Sequence, residues 1–404
     1  MVEALPAILL VSSDFSHPHM PSQQYAFSWR LNRLRPLSEK GHPVIVICAG
    51  GKAIGGLRGI LENAKPSTYS DGKLTFVFPP ILKLPGLGFL TSFVSTPITA
   101  YIFCLVNRVT VGTIVAASVA YGAMAKPLKK AMKAVFVVDY GDPEYMRVRS
   151  RSLWVLRFLE RYVFSRPGVD VCTCMDPVIG EHVKGLGVAD PLFLPPGGFW
   201  KGRETPSASQ RGKPKDEKTV IYAGHVGAPP YRLDLLVEAA PAVFARHPSV
   251  KMVIVGDGEY LVKMRQAVAA AGLGGRFVFK GRLPYDQTKE EISRADVCLQ
   301  LLDDMCLGTK VMDYFSLGKP VVSCGAFHDS YRRFLTDGQN CLLVAPDSKA
   351  LATAINRVLS DPKLGEELGD NAYKTAAEYD WETQADLLWA AVSRVGARSQ
   401  GRKA

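Results

Sequence analysis

No C-x-x-C pair, no Cys–His ligand spacing, no internal repeat and no nucleic-acid-binding signature occurs in these 404 residues. The eight cysteines lie mostly in apolar, strand-like runs. Neither a zinc site nor a redox motif is indicated, and a reduced cytoplasmic protein is the simplest reading. The apolar run 7–11 after Glu3 is too brief for a signal peptide and reads as a first strand. Acid is scarce in the first half: residues 1–200 hold 21 Lys and Arg against 13 Asp and Glu, the remainder 28 against 25. A basic excess suits nucleic acid, anionic lipid or phosphorylated substrates. The aromatic residues are not interleaved with the basic ones, which disfavours nucleic acid. The sharpest absence lies between Lys83 and Arg108, where no charged residue occurs. That run is long enough to span a bilayer, but Pro85, Gly86, Gly88 and Pro97 interrupt it. A span, insertion into one leaflet, and a buried helix or interdomain surface all stay open. The nearby Lys126, Lys129, Lys130 and Lys133 suit anionic headgroups or form a solvated face.

Apolar runs of strand length alternate with helical patterns along the whole chain, as βα units of a mostly parallel sheet do. Strands are expected near 7–11, 44–47, 74–78, 113–116, 134–138, 169–173 and 191–194, then again near 220–223, 250–255, 276–279, 297–301, 320–323 and 341–344. Between the two sets, WKGRETPSASQRGKPKDEK is polar and without apolar period, and reads as a linker. The expectation is an α/β protein of two doubly wound, Rossmann-like parallel-sheet domains facing a cleft. Its parts are 1–199, a linker over 200–218, a second domain over 219–380, and a closing helical stretch over 381–404. Open sheets of this kind bind ligands beyond the carboxyl ends of their strands.

Residues 303–323, DDMCLGTKVMDYFSLGKPVVS, carry the densest signal. A strand ends before them, Gly308 turns the chain, Thr309 is placed to cap a helix over 309–317, and Pro320 stops it. Lys310 and Asp313 stand one helical turn apart and share a side. A cation for phosphate and a carboxylate for ribose hydroxyls, so spaced, describe a nucleotide-diphosphate site. Three further strand ends carry turns: Tyr222-Ala223-Gly224-His225-Val226-Gly227, Val255-Gly256-Asp257-Gly258-Glu259 and Lys280-Gly281-Arg282-Leu283. Glycine there lets backbone approach a phosphate, although strand-ending turns favour glycine regardless.

These motifs resemble the donor-binding segment of retaining glycosyltransferases of the two-domain GT-B fold, the group 1 or family 4-like enzymes. That family reads E-G-F-G-x-x-x-x-E-A followed by G-x-P-V-V. Here the glycine falls on Gly308, the second acid on Asp313 and the tail on Gly318-Lys319-Pro320-Val321-Val322, with Met305 in the first acid's place. Lys310 followed by Asp313-Tyr314 is similar to a subgroup with Lys and Asp in that motif. His225 takes the place of the family's loop Arg, and Arg232 stands near its Lys. The resemblance implies a nucleotide-diphosphate sugar donor, UDP- or GDP-linked, with no further cofactor and no metal required. It implies donor contacts from Gly224, His225, Gly256, Arg282, Leu283, Gly308, Thr309, Lys310 and Asp313, with Lys310 and Arg232 stabilising the leaving group.

In the first half, Val138-Asp139-Tyr140-Gly141-Asp142-Pro143 follows a strong strand. Asp142 is the candidate carboxylate beside a reacting acceptor hydroxyl, and capping of the turn by Asp139 and Asp142 is the alternative. Asp14, His17 and His19 fit no metal-ligand spacing. The expected activity is transfer of a sugar to a lipid-linked or glycan acceptor, with peripheral contact through 84–107 at the inner face of the cytoplasmic membrane. A nucleotide-sugar epimerase of the same fold is the alternative enzyme. Met305 also leaves open a non-catalytic nucleotide-sugar-binding partner subunit.

Overall fold

The computed structural model describes residues 5–12, 29–49, 52–54, 67–71, 74–82, 88–141, 153–166, 168–175, 177–195, 217–228, 231–302, 310–325 and 334–401. The chain divides into two compact units, one of residues 1–195 with 382–404, the other of residues 196–381.

The first unit is built on β1 (Ala7–Ser12), α1 (Trp29–Glu39), β2 (Val44–Cys48), β3 (Lys52–Ile54), β4 (Ser67–Asp71), β5 (Leu74–Phe78), β6 (Pro80–Leu82) and α2 (Gly88–Val106). It continues through β7 (Val111–Ala116), α3 (Val119–Met132), β8 (Val135–Tyr140), α4 (Leu153–Phe164), β9 (Val171–Cys174), α5 (Pro177–Gly185) and β10 (Leu192–Phe193). Eight strands form one sheet in the order β10-β9-β8-β7-β1-β2-β5-β4, parallel except that β4 runs against β5. β3 and β6 form a separate parallel pair. Strands such as AILLVS and VIVIC are buried at every residue, because helices cover both faces. On one face lie α2, α3, α4 and α5, packed over Leu9, Val11, Ile114 and Phe136. On the other lie α1 and the C-terminal helix, through Leu31, Leu34, Leu388 and Val392.

Residues 88–106 of the uncharged run form helix α2, and among the described residues no helix is long and apolar enough to cross a membrane. Two of the four lysines read as one basic cluster are occupied within the protein. Lys126 is buried, and its ammonium caps the end of α4 on the Tyr162 and Ser165 carbonyls; Lys129 pairs with Asp170 at 2.7 Å. Burial lowers the Lys126 pKa, and the charge of Lys129 adds to that. Lys130 and Lys133 point outward.

The second unit contains β11 (Thr219–Ala223), α6 (Leu233–Arg246), β12 (Lys251–Val255), α7 (Leu261–Ala270), β13 (Phe277–Gly281), α8 (Tyr285–Arg294), β14 (Val297–Leu301), α9 (Lys310–Ser316), β15 (Val321–Cys324), β16 (Leu342–Val344), α10 (Ser348–Ser360) and α11 (Pro362–Ala377). α12 (Trp381–Gly401) then joins the first unit. Six parallel strands take the order β13-β12-β11-β14-β15-β16. From β11 the chain winds outward through β12 to β13, then returns to β14 on the other side of β11 and winds outward again. The point of reversal lies between β11 and β14, where a crevice opens beyond the strand ends in sheets of this class. Local signals start the helices that close this unit. Asp347 caps α10 by accepting from the Ala350 N–H at 2.8 Å, and Asp361 caps α11 at Leu364, with Pro362 as the first helical residue.

Candidate active site

At the carboxyl edge of the second sheet, three loops continue the strand pairing with backbone hydrogen bonds. The Gly224 N–H donates to the Val255 carbonyl at 2.9 Å, the Val226 N–H to Asp257 at 3.0 Å, and the Gly256 N–H to Gly281 at 2.8 Å. So tight an approach leaves no room for side chains. Gly256 has φ +138°, and a Cβ there would fall 1.8 Å from the Gly224 carbonyl oxygen. Gly224 and Gly256, two of the glycines singled out in the sequence, thus form one backbone contact, between the ends of β11 and β12.

Lys310 opens α9 and lays its side chain across Gly224: a Cβ on that glycine would stand 2.9 Å from both Cε and Nζ. This brings the loop after β11 and the helix after β14 together at the reversal point of the sheet. The Lys310 Nζ donates to the Tyr222 hydroxyl at 2.9 Å and lies 4.2 Å from the centroid of that ring and 5.4 Å from the Tyr231 ring. Tyr222 is buried, and its hydroxyl donates onward to the His225 carbonyl at 2.6 Å. The aromatic faces offer the ammonium favourable electrostatics, and the hydroxyl chain fixes its direction. No carboxylate pairs with Lys310 among the described residues. Loss of water around it is not offset, and its pKa falls from 10.5 to about 7. A half-buried lysine with no carboxylate partner among the described residues, lying at the strand ends beside the reversal point, is suited to an anion that brings its own charge.

One turn on, Asp313 is half-buried and accepts from the Tyr285 hydroxyl at 2.8 Å. Tyr285 begins α8, so the carboxylate is tied to the loop that follows β13. Tyr314 faces the opposite way, into the sheet. Its hydroxyl accepts from the Ala223 N–H at 2.9 Å and donates to the Ala223 carbonyl at 3.3 Å, which anchors α9 to the end of β11.

The remaining expected residues are more dispersed. Arg232 precedes α6 and grips Asp234 with two nitrogens, Nε to Oδ1 at 3.1 Å and Nη2 to Oδ2 at 3.0 Å. Its charge is thereby largely committed to a neighbour, unlike that of Lys310. His225 is exposed, 3.0 Å from the Glu259 carboxylate, with the Tyr231 ring edge-on at 5.1 Å. The Ala228 N–H, more than His225, holds Glu259 below the ordinary carboxylate range. Arg282 is exposed and Leu283 half-buried, both following β13 on the same edge. Gly308, Thr309, Met305, Asp142, Asp14, His17 and His19 lie outside the described residues. Asp139 does not cap a turn. It is buried on β8, where Arg30 Nε at 3.1 Å, Arg33 Nη1 at 3.3 Å and the Thr173 hydroxyl at 2.6 Å all donate to it.

Three tyrosines of this site, Tyr222, Tyr231 and Tyr285, carry no sequence signal of their own. Tyr222 reads as a strand residue, and only the return of the chain from β13 to β14, beside β11, brings Lys310 over it.

Residues 204–375 match the family profile described as glycosyl transferases group 1. A phosphatidyl-myo-inositol mannosyltransferase of Mycolicibacterium smegmatis is 30% identical over 195 residues, covering 47% of this chain and 49% of that protein. A lipopolysaccharide core biosynthesis glycosyltransferase of Rhizobium meliloti is 28% identical over 51% of this chain and 58% of its own length. The chain thus spans about half the length of the relatives it matches. Among solved structures, sucrose-phosphate synthase from Thermosynechococcus elongatus superimposes with a TM-score of 0.73 at 18% identity, covering 98% of this chain and 100% of that one. Anabaena HepE in complex with UDP gives 0.70 at 17%, covering 96% and 100%. Likeness at such identities shows the fold: two parallel-sheet α/β domains of the GT-B type.

Proposed function

We propose that the chain is a retaining glycosyltransferase that moves a sugar from a nucleotide-diphosphate sugar to a lipid-linked or glycan acceptor at the inner face of the cytoplasmic membrane. The observation that carries this reading is the Lys310 ammonium, without a carboxylate partner among the described residues, laid over Gly224, one turn from Asp313, inside the segment that matches the group 1 profile. The UDP complex of the structurally similar Anabaena protein supports a nucleotide-diphosphate donor. The mannosyltransferases among the relatives support a lipid acceptor.

In the reaction, the bond between the sugar anomeric carbon and the β-phosphate oxygen breaks and its electron pair stays on the diphosphate. The acceptor oxygen bonds to the anomeric carbon and releases its proton, for which Asp142 is the candidate carboxylate. Negative charge grows on the departing diphosphate, and Lys310 interacts with that charge more strongly than with the bound donor. Asp313 accepts from ribose hydroxyls and sets where the diphosphate lies relative to Lys310. Gly224 makes room for the Lys310 side chain, and Gly256 for the Gly224 carbonyl.

The test is incubation of the purified chain with a panel of labelled UDP- and GDP-sugars and a membrane extract. Label transferred to a lipid or glycan fraction, with release of the nucleoside diphosphate, is the expected result. An isomerised nucleotide sugar, or binding without turnover, overturns the assignment.

A further inference from the structure

Helix α2 carries large apolar residues on both of its sides. Toward the core, Ser92, Thr96, Thr99, Ala100 and Cys104 are buried, and Phe93 and Phe103 pack half-buried beside them. Its outward side is large and apolar: Val94, Ile98, Tyr101, Ile102, Leu105 and Val106 are exposed, Leu105 to 66% and Val106 to 72%. These six recur at helical spacing and form one continuous stripe. A helix at a water surface distributes its residues the other way, and contiguous apolar stripes of this size mark interaction sites. On the inward face Ser92 donates to the Ala49 carbonyl at 2.6 Å, whereas the buried hydroxyls of Ser95 and Thr96 have no hydrogen-bond partner among the described residues.

The stripe has a counterpart two helices away. α3 packs between α2 and α4 in the same layer. On α4, Trp154 is 70% exposed and Phe158, one turn on, 63%. Both aromatic residues point away from the sheet, with the exposed Arg157 and Arg161 beside them. Between the stripes, Lys130 and Lys133 of the α3 end are exposed, and Arg108 stands exposed just past α2. None of these five cations pairs with a carboxylate among the described residues. α2 and α3 contain no acid, and the one acid of α4, Glu160, is buried against Tyr140 and His182. Over α2, α3 and α4 the outer surface is thus apolar stripes edged by positive charge with no exposed acid among the described residues, while the exposed Glu181 of α5, the fourth helix of the layer, pairs with Lys184 at 2.6 Å. We infer that this surface docks onto an anionic lipid bilayer, with α2 and the Trp154–Phe158 edge of α4 entering the interface and the flanking lysines and arginines meeting headgroups. Charge complementarity selects the occupant: apolar insertion and interfacial cations together match an anionic leaflet. A second copy of this surface would bring like charges face to face. The inference rests on the membrane part of the function proposed above and not on its transfer chemistry.

The test uses the full chain and sucrose-loaded vesicles of phosphatidylcholine alone or mixed with phosphatidylglycerol. The chain is expected to sediment about tenfold more strongly with the anionic vesicles, and added salt should weaken but not abolish this. Two double variants alter exposed residues only. Ile98→Asn with Leu105→Asn removes apolar insertion, and Arg157→Glu with Arg161→Glu reverses the charge. Each is expected to lower anionic-vesicle binding by about tenfold, with thermal unfolding and nucleoside-diphosphate binding unchanged. A wild-type chain that stays in the supernatant with every vesicle overturns the inference, and so does binding that neither variant weakens. A lipid-free dimer that Ile98→Asn with Leu105→Asn dissociates overturns it too, by assigning the surface to a second copy. Vesicle binding and donor turnover are read separately, so failure of one leaves the other standing.

Discussion

Lys310 is the residue whose chemistry and environment are most at odds. Burial holds its pKa at about 7, where the empty protein carries only part of the charge that the proposed reaction uses. A diphosphate beside it raises that pKa. The sign follows from linkage: binding assisted by the ammonium is complete below the free-state value and fades as pH rises through it. UDP or GDP affinity, measured by calorimetry, is therefore expected to be flat below about pH 7 and to weaken progressively toward about pH 9. Lys310→Ala removes this pH dependence and lowers kcat by about 10²–10³, the scale of one preorganised electrostatic group. A rate within about threefold of wild type removes the leaving-group role. Arg232→Ala is expected to cost less than Lys310→Ala, because Asp234 already holds the Arg232 guanidinium. Asp313 and Tyr285 form a second pair to separate. Asp313→Ala loses charge-assisted bonds worth about 1.5–3 kcal/mol and should appear mainly in nucleotide affinity. Tyr285→Phe keeps the carboxylate but frees its orientation, at about 0.5–1.5 kcal/mol. Equal losses from the two variants would show that Tyr285 binds the nucleotide itself.

Among the elements, the loops after β11 and β12 behave as one unit, because the backbone of one lies against that of the other. Gly256→Ala tests this most directly. A methyl group 1.8 Å from the Gly224 oxygen cannot be accommodated by a side-chain rotation, and φ +138° is itself unfavourable for alanine. The expected outcome is a loss of about 2–4 kcal/mol in the second unit, read as a lower Tm, together with weaker nucleoside-diphosphate binding. Unchanged stability would mean that the two loops separate readily. Gly272→Ala serves as a control: no atom lies within 4 Å of its added Cβ, although its φ of +69° adds some backbone strain.

Over the whole molecule, the chain end closes the first unit. Arg33 on α1 donates to Asp139 of β8, to Gln384 of α12 at 3.0 Å and to the Pro195 carbonyl at 3.3 Å, so residues near 33, 139, 195 and 384 meet at one buried guanidinium. Burial lowers the Arg33 pKa, and Asp139 opposes that shift. Replacing Arg33 leaves Asp139 buried with weaker compensation, a change worth about 3–5 kcal/mol for buried ion pairs. Arg33→Met is accordingly expected to unfold the first unit at lower temperature while nucleoside-diphosphate binding to the second persists. Coincident loss of both transitions would show that the units unfold together.

The α/β class and the places of thirteen strands were legible from the sequence, because strands covered on both faces become unbroken apolar runs, whereas the short β3, β4 and β6 carry no such run and were not expected. Thr219–Ala223 and Val297–Leu301 coincide almost residue for residue with the runs that predict them. That Lys310 and Asp313 stand one helical turn apart could also be read from spacing alone, since one turn is local geometry. What crosses the sheet could not be read that way. The seat of Lys310 on Gly224 and Tyr222, and the hold of Tyr285 on Asp313, depend on strand order, which brings residues 222 and 310 together across a separation of 88 positions. The uncharged run shows the same division. Its composition marked it as unusual, yet Phe93 and Phe103 turn toward the core while Ile98, Tyr101, Leu105 and Val106 face out. Composition records how much apolar surface a helix carries; only the neighbours it packs against decide which side of that surface is covered.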